Sequence, residues 1–298
     1  MGHNVSSSKQ SSGVIQGNNV ENSSNTITGN NNANHKVNGN IVDGFKQVSR
    51  RNVKIPDDKR MCDITSCHVL KDSSILVTDY SNRKLKKCNK NDSVLSIDLP
   101  CGPNDSCCLG NNNDVIVCGD NMLCYINTAG KMKITRTVST DHKCNGITCH
   151  NDRVYIVDDT KLYEYSLTGV KGRTVYQNEP SSTKFCHVKV DTSGSVFYIS
   201  DEMSGLYVVN TSGDLASTYF DQTLSEAQGV CVMDTGDVLV SGFQSDNVIE
   251  VDKTGTKKIR TLIQDAGYIS DPKCLYFHEQ TRDLYVGQWN DYLSIFKL

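Results

Sequence analysis

From Phe45 onward, short apolar runs rich in Val, Ile, Leu and Tyr alternate with clusters of Gly, Asn and Asp. Runs this short, bounded by turn formers, predict β-strands, and no long stretch of helical period interrupts them. The runs recur. Taking the centre of the first run in each unit gives Cys67, Cys107, Ile147, Val188, Val230 and Cys274, spaced by 40, 40, 41, 42 and 44 residues. A period of roughly 40 to 50 residues is that of a radial array of four-stranded sheets. In the fifth unit the strands read Gly229-Val230-Cys231-Val232, Val238-Leu239-Val240, Asn247-Val248-Ile249-Glu250-Val251 and Lys258-Ile259-Arg260-Thr261-Leu262, with turns at Asp234-Thr235-Gly236-Asp237 and Thr254-Gly255.

The fourth unit repeats this order with Val188-Lys189-Val190, Val196-Phe197-Tyr198-Ile199, Leu206-Tyr207-Val208-Val209 and Leu215-Ala216-Ser217-Thr218-Tyr219. Units one to three follow it through Ile75-Leu76-Val77, Val115-Ile116-Val117-Cys118 and Val154-Tyr155-Ile156-Val157 as second strands. These continuous β-branched runs predict coverage on both faces. Third and fourth strands mix in Lys, Arg, Thr and Ser, which predicts growing exposure toward an outer edge. The Gly and Asn/Asp turns supply the positive-φ positions of tight hairpins. The sixth unit holds only three strands, around Cys274, Leu284-Tyr285-Val286 and Leu293-Ser294-Ile295-Phe296, before Leu298. An open edge would leave backbone groups unpaired. The missing strand is therefore predicted within Phe45 to Ile55. Together these features predict an all-β fold, a six-bladed β-propeller of four-stranded antiparallel blades over 43–298, its last blade closed by an N-terminal strand.

Residues 1–42 differ in kind: rich in Asn, Ser and Gly and poor in apolar side chains. Such a segment cannot offset its ordering entropy, so a disordered tail is expected. Two motifs sit in it. Met1-Gly2 with Ser6 fits an N-myristoylation pattern at Gly2, although His3 is unfavourable there. Val14-Ile15-Gln16-Gly17-Asn18-Asn19 and Ile27-Thr28-Gly29-Asn30-Asn31 resemble a degenerate pair of amyloid signalling motifs of the RHIM type, but no apolar residue separates Gln16 from Gly17. Composition favours a plain linker over an assembly motif.

No secretory signal and no membrane-length apolar run occur, so the expected location is cytoplasmic. Thirteen cysteines, an odd count, are then expected as reduced thiols packed as small hydrophobes, among them Cys67, Cys107, Cys149, Cys186, Cys231 and Cys274. A structural zinc site has no paired C-x-x-C knuckles to build on, and the nearest cluster, His142, Cys144, Cys149 and His150, lacks a second knuckle. No cofactor is implied.

The words Cys62-Asp63-Ile64-Thr65-Ser66, Ile75-Leu76-Val77-Thr78-Asp79-Tyr80-Ser81-Asn82-Arg83-Lys84-Leu85-Lys86, Cys144-Asn145-Gly146-Ile147, Tyr198-Ile199-Ser200-Asp201 and Gln228-Gly229-Val230 carry a family resemblance. Over about 43–298 the chain resembles the NHL-like propellers of tripartite-motif proteins, in the expanded form familiar from molluscs. That resemblance implies recruitment of protein substrates for ubiquitin transfer, or RNA binding, with ligase activity residing in a RING. This sequence shows no RING or B-box Cys/His array and no coiled-coil heptads. Ligase activity would have to be supplied elsewhere.

The first functional expectation is thus a non-enzymatic recognition module for a protein partner. Its candidate anchors are aromatic and Arg residues at loop tips: Tyr80, Arg83, Phe243, Trp289 and Tyr292. The second is RNA binding through basic clusters at Arg83, Lys84, Lys86 and Lys87, at Lys131, Lys133 and Arg136, and at Lys253, Lys257, Lys258 and Arg260. A net charge of −3 weighs against it, and DNA is not expected. The third is a metal-dependent, gluconolactonase-like hydrolase. It would need carboxylates converging on the channel, whereas Asp63, Asp105 and Asp191 read as turn residues beside inner strands.

Overall fold

The computed structural model describes residues 46–110, 113–179, 183–264 and 267–298. The tail motifs at Gly2 and at residues 14–31 lie outside them. After β1 (Lys46–Asn52) come four strands of blade one: β2 (Ile64–Val69), β3 (Ile75–Asp79), β4 (Lys84–Cys88) and β5 (Val94–Asp98). Blade two has β6 (Asp105–Leu109), β7 (Asp114–Gly119), β8 (Met122–Asn127) and β9 (Lys133–Ser139). Blade three has β10 (Gly146–His150), β11 (Arg153–Val157), β12 (Lys161–Ser166) and β13 (Lys171–Gln177). Blade four has β14 (Phe185–Val190), β15 (Val196–Asp201), β16 (Gly205–Asn210) and β17 (Leu215–Tyr219). Blade five has β18 (Ala227–Val232), β19 (Val238–Gly242), β20 (Asn247–Val251) and β21 (Lys258–Gln264), and blade six β22 (Pro272–His278), β23 (Asp283–Gln288) and β24 (Tyr292–Lys297).

Each blade is a four-stranded antiparallel meander, and all six anchor residues of the repeat fall in innermost strands. Blade six takes its outermost strand from β1, which pairs with β24 from Lys46↔Lys297 to Asn52↔Tyr292. The expected closure is present. Six blades thus form a ring, and the hydrophobic core is divided into six clusters, one at each seam between neighbouring blades.

One expectation needs correction. Third strands are mostly covered, β4 and β20 being almost wholly buried, and only fourth strands such as β5, β9 and β17 are largely exposed. A third strand still lies between two blades, so its polar residues must find partners instead of solvent. The predicted turn glycines do adopt positive φ. Gly213, at φ 95°, also leaves room for the neighbouring blade: a Cβ there would stand 2.1 Å from the Val175 carbonyl oxygen.

The meander defines two faces. Loops between second and third strands, together with the connections from one blade to the next, open on what we term the upper face. The remaining turns form the lower face. A repeated device ties the upper connections down. Asp79, at the end of β3, accepts the Asp63 amide at 3.1 Å, and Asp201, at the end of β15, accepts the Lys184 amide at 2.7 Å. Backbone donors at the starts of blades one and four are satisfied this way.

Candidate functional site: the upper face and the central channel

Every proposed anchor lies on the upper face, in three consecutive blades. Tyr80 and Arg83 occupy the β3–β4 loop, Phe243 opens the β19–β20 loop, Trp289 opens the β23–β24 loop and Tyr292 begins β24. Tyr80 (44% exposed), Trp289 (45%) and Tyr292 (39%) are all accessible, Arg83 is exposed, and Phe243 is half-buried. Arg83 has φ 51°, a left-handed turn position that directs the loop back into β4.

Three of the five are linked. The Phe243 and Trp289 rings stack with centroids 6.3 Å apart. The Lys273 ammonium lies 5.5 Å from the first ring centroid and 5.4 Å from the second, and donates to Asp63 Oδ2 at 2.9 Å. Lys273 and Tyr80 line the same cavity of about 380 Å³ at the upper mouth of the channel. Tyr292 stands apart, under the Arg50 guanidinium at 4.6 Å, and Arg83 faces a separate shallow surface with Lys59 and Arg60. Lys273 was missed in the sequence because a lysine beside a strand start reads as an exposed flank. Its signal is its place one residue before the inner-strand anchor Cys274.

The basic clusters do not converge. Lys86 is fully buried between Asp58 and Asp79, and Lys87 bonds Asp72 at 2.9 Å. Arg136 covers the Tyr125 ring of its own blade at 3.8 Å, while Lys258 and Arg260 pair with Asp221 and Glu250. Among the described residues, Asp and Glu outnumber Lys and Arg in the connections of both faces.

Inside the channel, Asp105 is no turn residue, which corrects its reading from sequence. It is 1% exposed at the start of β6 and reaches past the inner edge of blade three to blade four. Its Oδ2 accepts the Ile147 amide at 3.0 Å and stands 3.4 Å from His187 Nδ1 and 3.5 Å from Lys189 Nζ. Burial by itself would push this carboxyl up. The Lys189 ammonium, His187 and the Ile147 amide outweigh it and hold Asp105 below the usual carboxylate range. Burial, reinforced by Lys189, pulls nearby His68 down to about 4, so its imidazole is neutral. Asp63 is likewise buried and paired, whereas Asp191 is the turn residue expected, accepting the Ser195 and Val196 amides. Below this cluster lies a second cavity of about 290 Å³, lined by Cys67, Cys107, Cys149, Cys231 and Cys274 among others.

Metal chemistry has little to build on among the described residues. His142 is engaged by Tyr165 and the Lys143 carbonyl, and its cluster with Cys144, Cys149 and His150 does not assemble. One group of three ligand types does converge, Asp58, Cys62 and Asp79. The Lys86 ammonium fills it, at 2.6 Å from Asp58, 2.7 Å from Asp79 and 3.3 Å from the Cys62 sulfur. A cation already balances these carboxylates, so a metal ion has no fit there.

No family model and no curated protein matches the chain. Solved structures do. A Bacteroides thetaiotaomicron protein of unknown function superposes with a TM-score of 0.69 at 13% identity, covering 86% of this chain and 80% of that one. A virginiamycin B lyase from Staphylococcus aureus gives 0.62 at 11% identity, covering 85% and 99%. A streptogramin B lyase gives 0.61 at 11% identity, covering 85% and 98%. At such identities the likeness extends to the fold alone: this chain is a six-bladed β-propeller, similar in architecture to proteins that include lyases.

Proposed function

We propose that the chain is a non-enzymatic recognition module that binds a protein partner through the upper face of blades five, six and one. The observation carrying this reading is the arc formed by Phe243, Trp289 and Tyr80 around the Lys273-lined mouth. Exposed aromatic side chains with few rotatable bonds are the residue types that dominate protein interfaces. The surrounding connections carry Glu226, Asp246, Asp271 and Asp291, which favours a partner segment with apolar and basic side chains. The tripartite-motif resemblance supports a substrate-recruiting role in the ubiquitin pathway, with ligase chemistry supplied by another segment or protein. RNA binding gains less support, because a phosphate backbone would meet a surplus of carboxylates. A hydrolase reading gains less too: the channel offers Asp105 already engaged by Lys189 and His187.

The test compares the full chain with a Tyr80→Ala/Trp289→Ala variant and a lower-face control, Lys131→Ala, in affinity purification scored for protein and RNA together. Partners held by wild type and control but lost by the double variant support the proposal. Identical partner sets for all three, or recovery of RNA alone with a steep salt dependence, would overturn it.

A further inference from the structure

At the seam where the first and last blades meet, two thiols touch. Cys67 in β2 and Cys274 in β22 are each 3% exposed, with their sulfurs 3.8 Å apart although they are 207 positions apart in sequence. We propose that this pair is an oxidative modification site, at which a peroxide closes the ring covalently with a Cys67–Cys274 disulfide.

Three observations carry it. First, the inner strands of neighbouring blades run close together. β2 and β22 pack side by side, and the sulfurs they present to each other are already in contact, so only a small side-chain adjustment separates them from bonding distance. Second, space is reserved for the sulfur. Gly287, the register partner of Cys274, would place a Cβ 2.3 Å from that sulfur, so glycine is what allows the thiol its position. Third, both thiols line the lower cavity, which gives a small oxidant a route to them.

The seam is also where such a bond matters most. Five seams are crossed by chain running directly from one complete blade into the next. At the sixth, the chain enters blade one from β1, and β1 is held to β24 by hydrogen bonds. A Cys67–Cys274 bond would secure the inner end of a seam whose outer end depends on that ladder. Two other thiol contacts lack this property. Cys101 and Cys124, 3.9 Å apart, lie 23 residues from each other around blade two, and Cys107 meets Cys149 between consecutive blades two and three.

The chemistry balances with the peroxide as oxidant. One sulfur takes a peroxide oxygen, giving a sulfenic acid and one water. The second thiol attacks that sulfur, the S–S bond forms, the S–OH bond breaks, and the hydroxyl leaves as water with the second thiol's proton. Two thiols are oxidised and one peroxide is reduced to two waters. Contact with Cys274 and burial hold the Cys67 thiol well above its ordinary pKa, so the reaction answers sustained rather than brief exposure.

The experiment uses the reduced full chain, incubated folded with hydrogen peroxide and then blocked with N-ethylmaleimide. Non-reducing proteolysis and mass spectrometry should recover a peptide pair joining Cys67 to Cys274. Unfolding in urea, followed by circular dichroism, should slow by about tenfold or more, because long enclosed loops gain most from a cross-link. Dithiothreitol should restore the fast rate, Cys274→Ala should remove the effect, and Cys101→Ala should keep it. Absence of the peptide pair, at a peroxide dose that fully oxidises the half-buried Cys108 and Cys149, overturns the proposal without reference to any variant. So does a linkage that leaves the unfolding rate unchanged, or one that forms only after unfolding.

Discussion

Replacing Lys86 by Met tests whether the buried ion triad holds the entry into the ring. Lys86, Asp58 and Asp79 have fully buried side chains, and the ammonium bonds a carboxylate on either side. Asp58 belongs to the connection from β1 to blade one, and Asp79 caps the amides of Asp63 and Asn82. Met keeps the volume of the lysine stem, so little cavity forms and the charge alone is lost. Two anions would then face each other, and Asp58 Oδ1 already lacks a hydrogen-bond partner. Breaking a buried pair by removing one member costs about 3–5 kcal/mol. The cheapest relief is to protonate one carboxyl; reckoned from the acidity of a free aspartate, that costs about 4 kcal/mol at pH 7, at about 1.4 kcal/mol per pH unit. The two routes agree, and for a fold of this size they correspond to a drop of about 6–20 °C in melting temperature. The penalty should shrink as pH falls from 7 toward 5, and Asp58→Asn should recover part of it in the Lys86→Met background. In the wild type, burial disfavours the ammonium, but Asp58 and Asp79 raise its pKa above the free value. Its contribution is therefore complete below pH 10 and is lost only as pH climbs past the raised value. Thermal and urea denaturation across pH 5–8 make the measurement. A penalty below about 1 kcal/mol at pH 7, or one that does not change with pH, would refute the reasoning.

Three further outcomes follow from the same geometry. Deleting residues 43–55 removes the whole β1 ladder and should lower the melting temperature sharply, whereas deleting 1–40 should leave it nearly unchanged; equal effects in calorimetry would count against closure by β1. Asp105→Asn strands the Lys189 ammonium and should cost about 2–4 kcal/mol above pH 5. Because the folded pKa of Asp105 is depressed, its contribution is present above the unfolded value near 4 and is lost as pH falls through the folded one. The gap between variant and wild type in urea midpoint should therefore close toward pH 2. Gly213→Ala meets both a left-handed backbone and the Val175 carbonyl, so a loss of about 1–3 kcal/mol is expected by urea titration. A neutral result would mean the turn repacks freely.

Much of the architecture was readable because a propeller repeats a local grammar. Val238-Leu239-Val240 and its counterparts had to be strands covered on both sides, and their spacing counted the blades. The closing strand followed from an unpaired edge, a requirement that backbone hydrogen bonding imposes on any sequence. The charged interior was less legible. Lys86 sits beside a second lysine in Leu85-Lys86-Lys87 and Lys189 between two valines in Val188-Lys189-Val190, and a lysine in a strand reads by default as solvent-facing. Their burial depends on Asp58, Asp79 and Asp105, which join them only through tertiary packing. The anchors on the upper face were identifiable one by one as loop aromatics. Their linkage through Lys273 was not, since that lysine meets the Phe243 and Trp289 rings only through tertiary packing.

The pairing of Lys46 with Lys297 has a consequence for how the chain can be rewired. Adjacent strands stand about 5 Å apart, so a linker of a few residues would fuse the two ends of the propeller. New termini could then be opened at any lower-face turn, for instance beside Gly130, and the blade completed by two separated segments would change with the cut. Such circular permutants would measure how far the stability of the ring depends on where its chain begins, and would move the vulnerable seam away from the aromatic arc of the upper face.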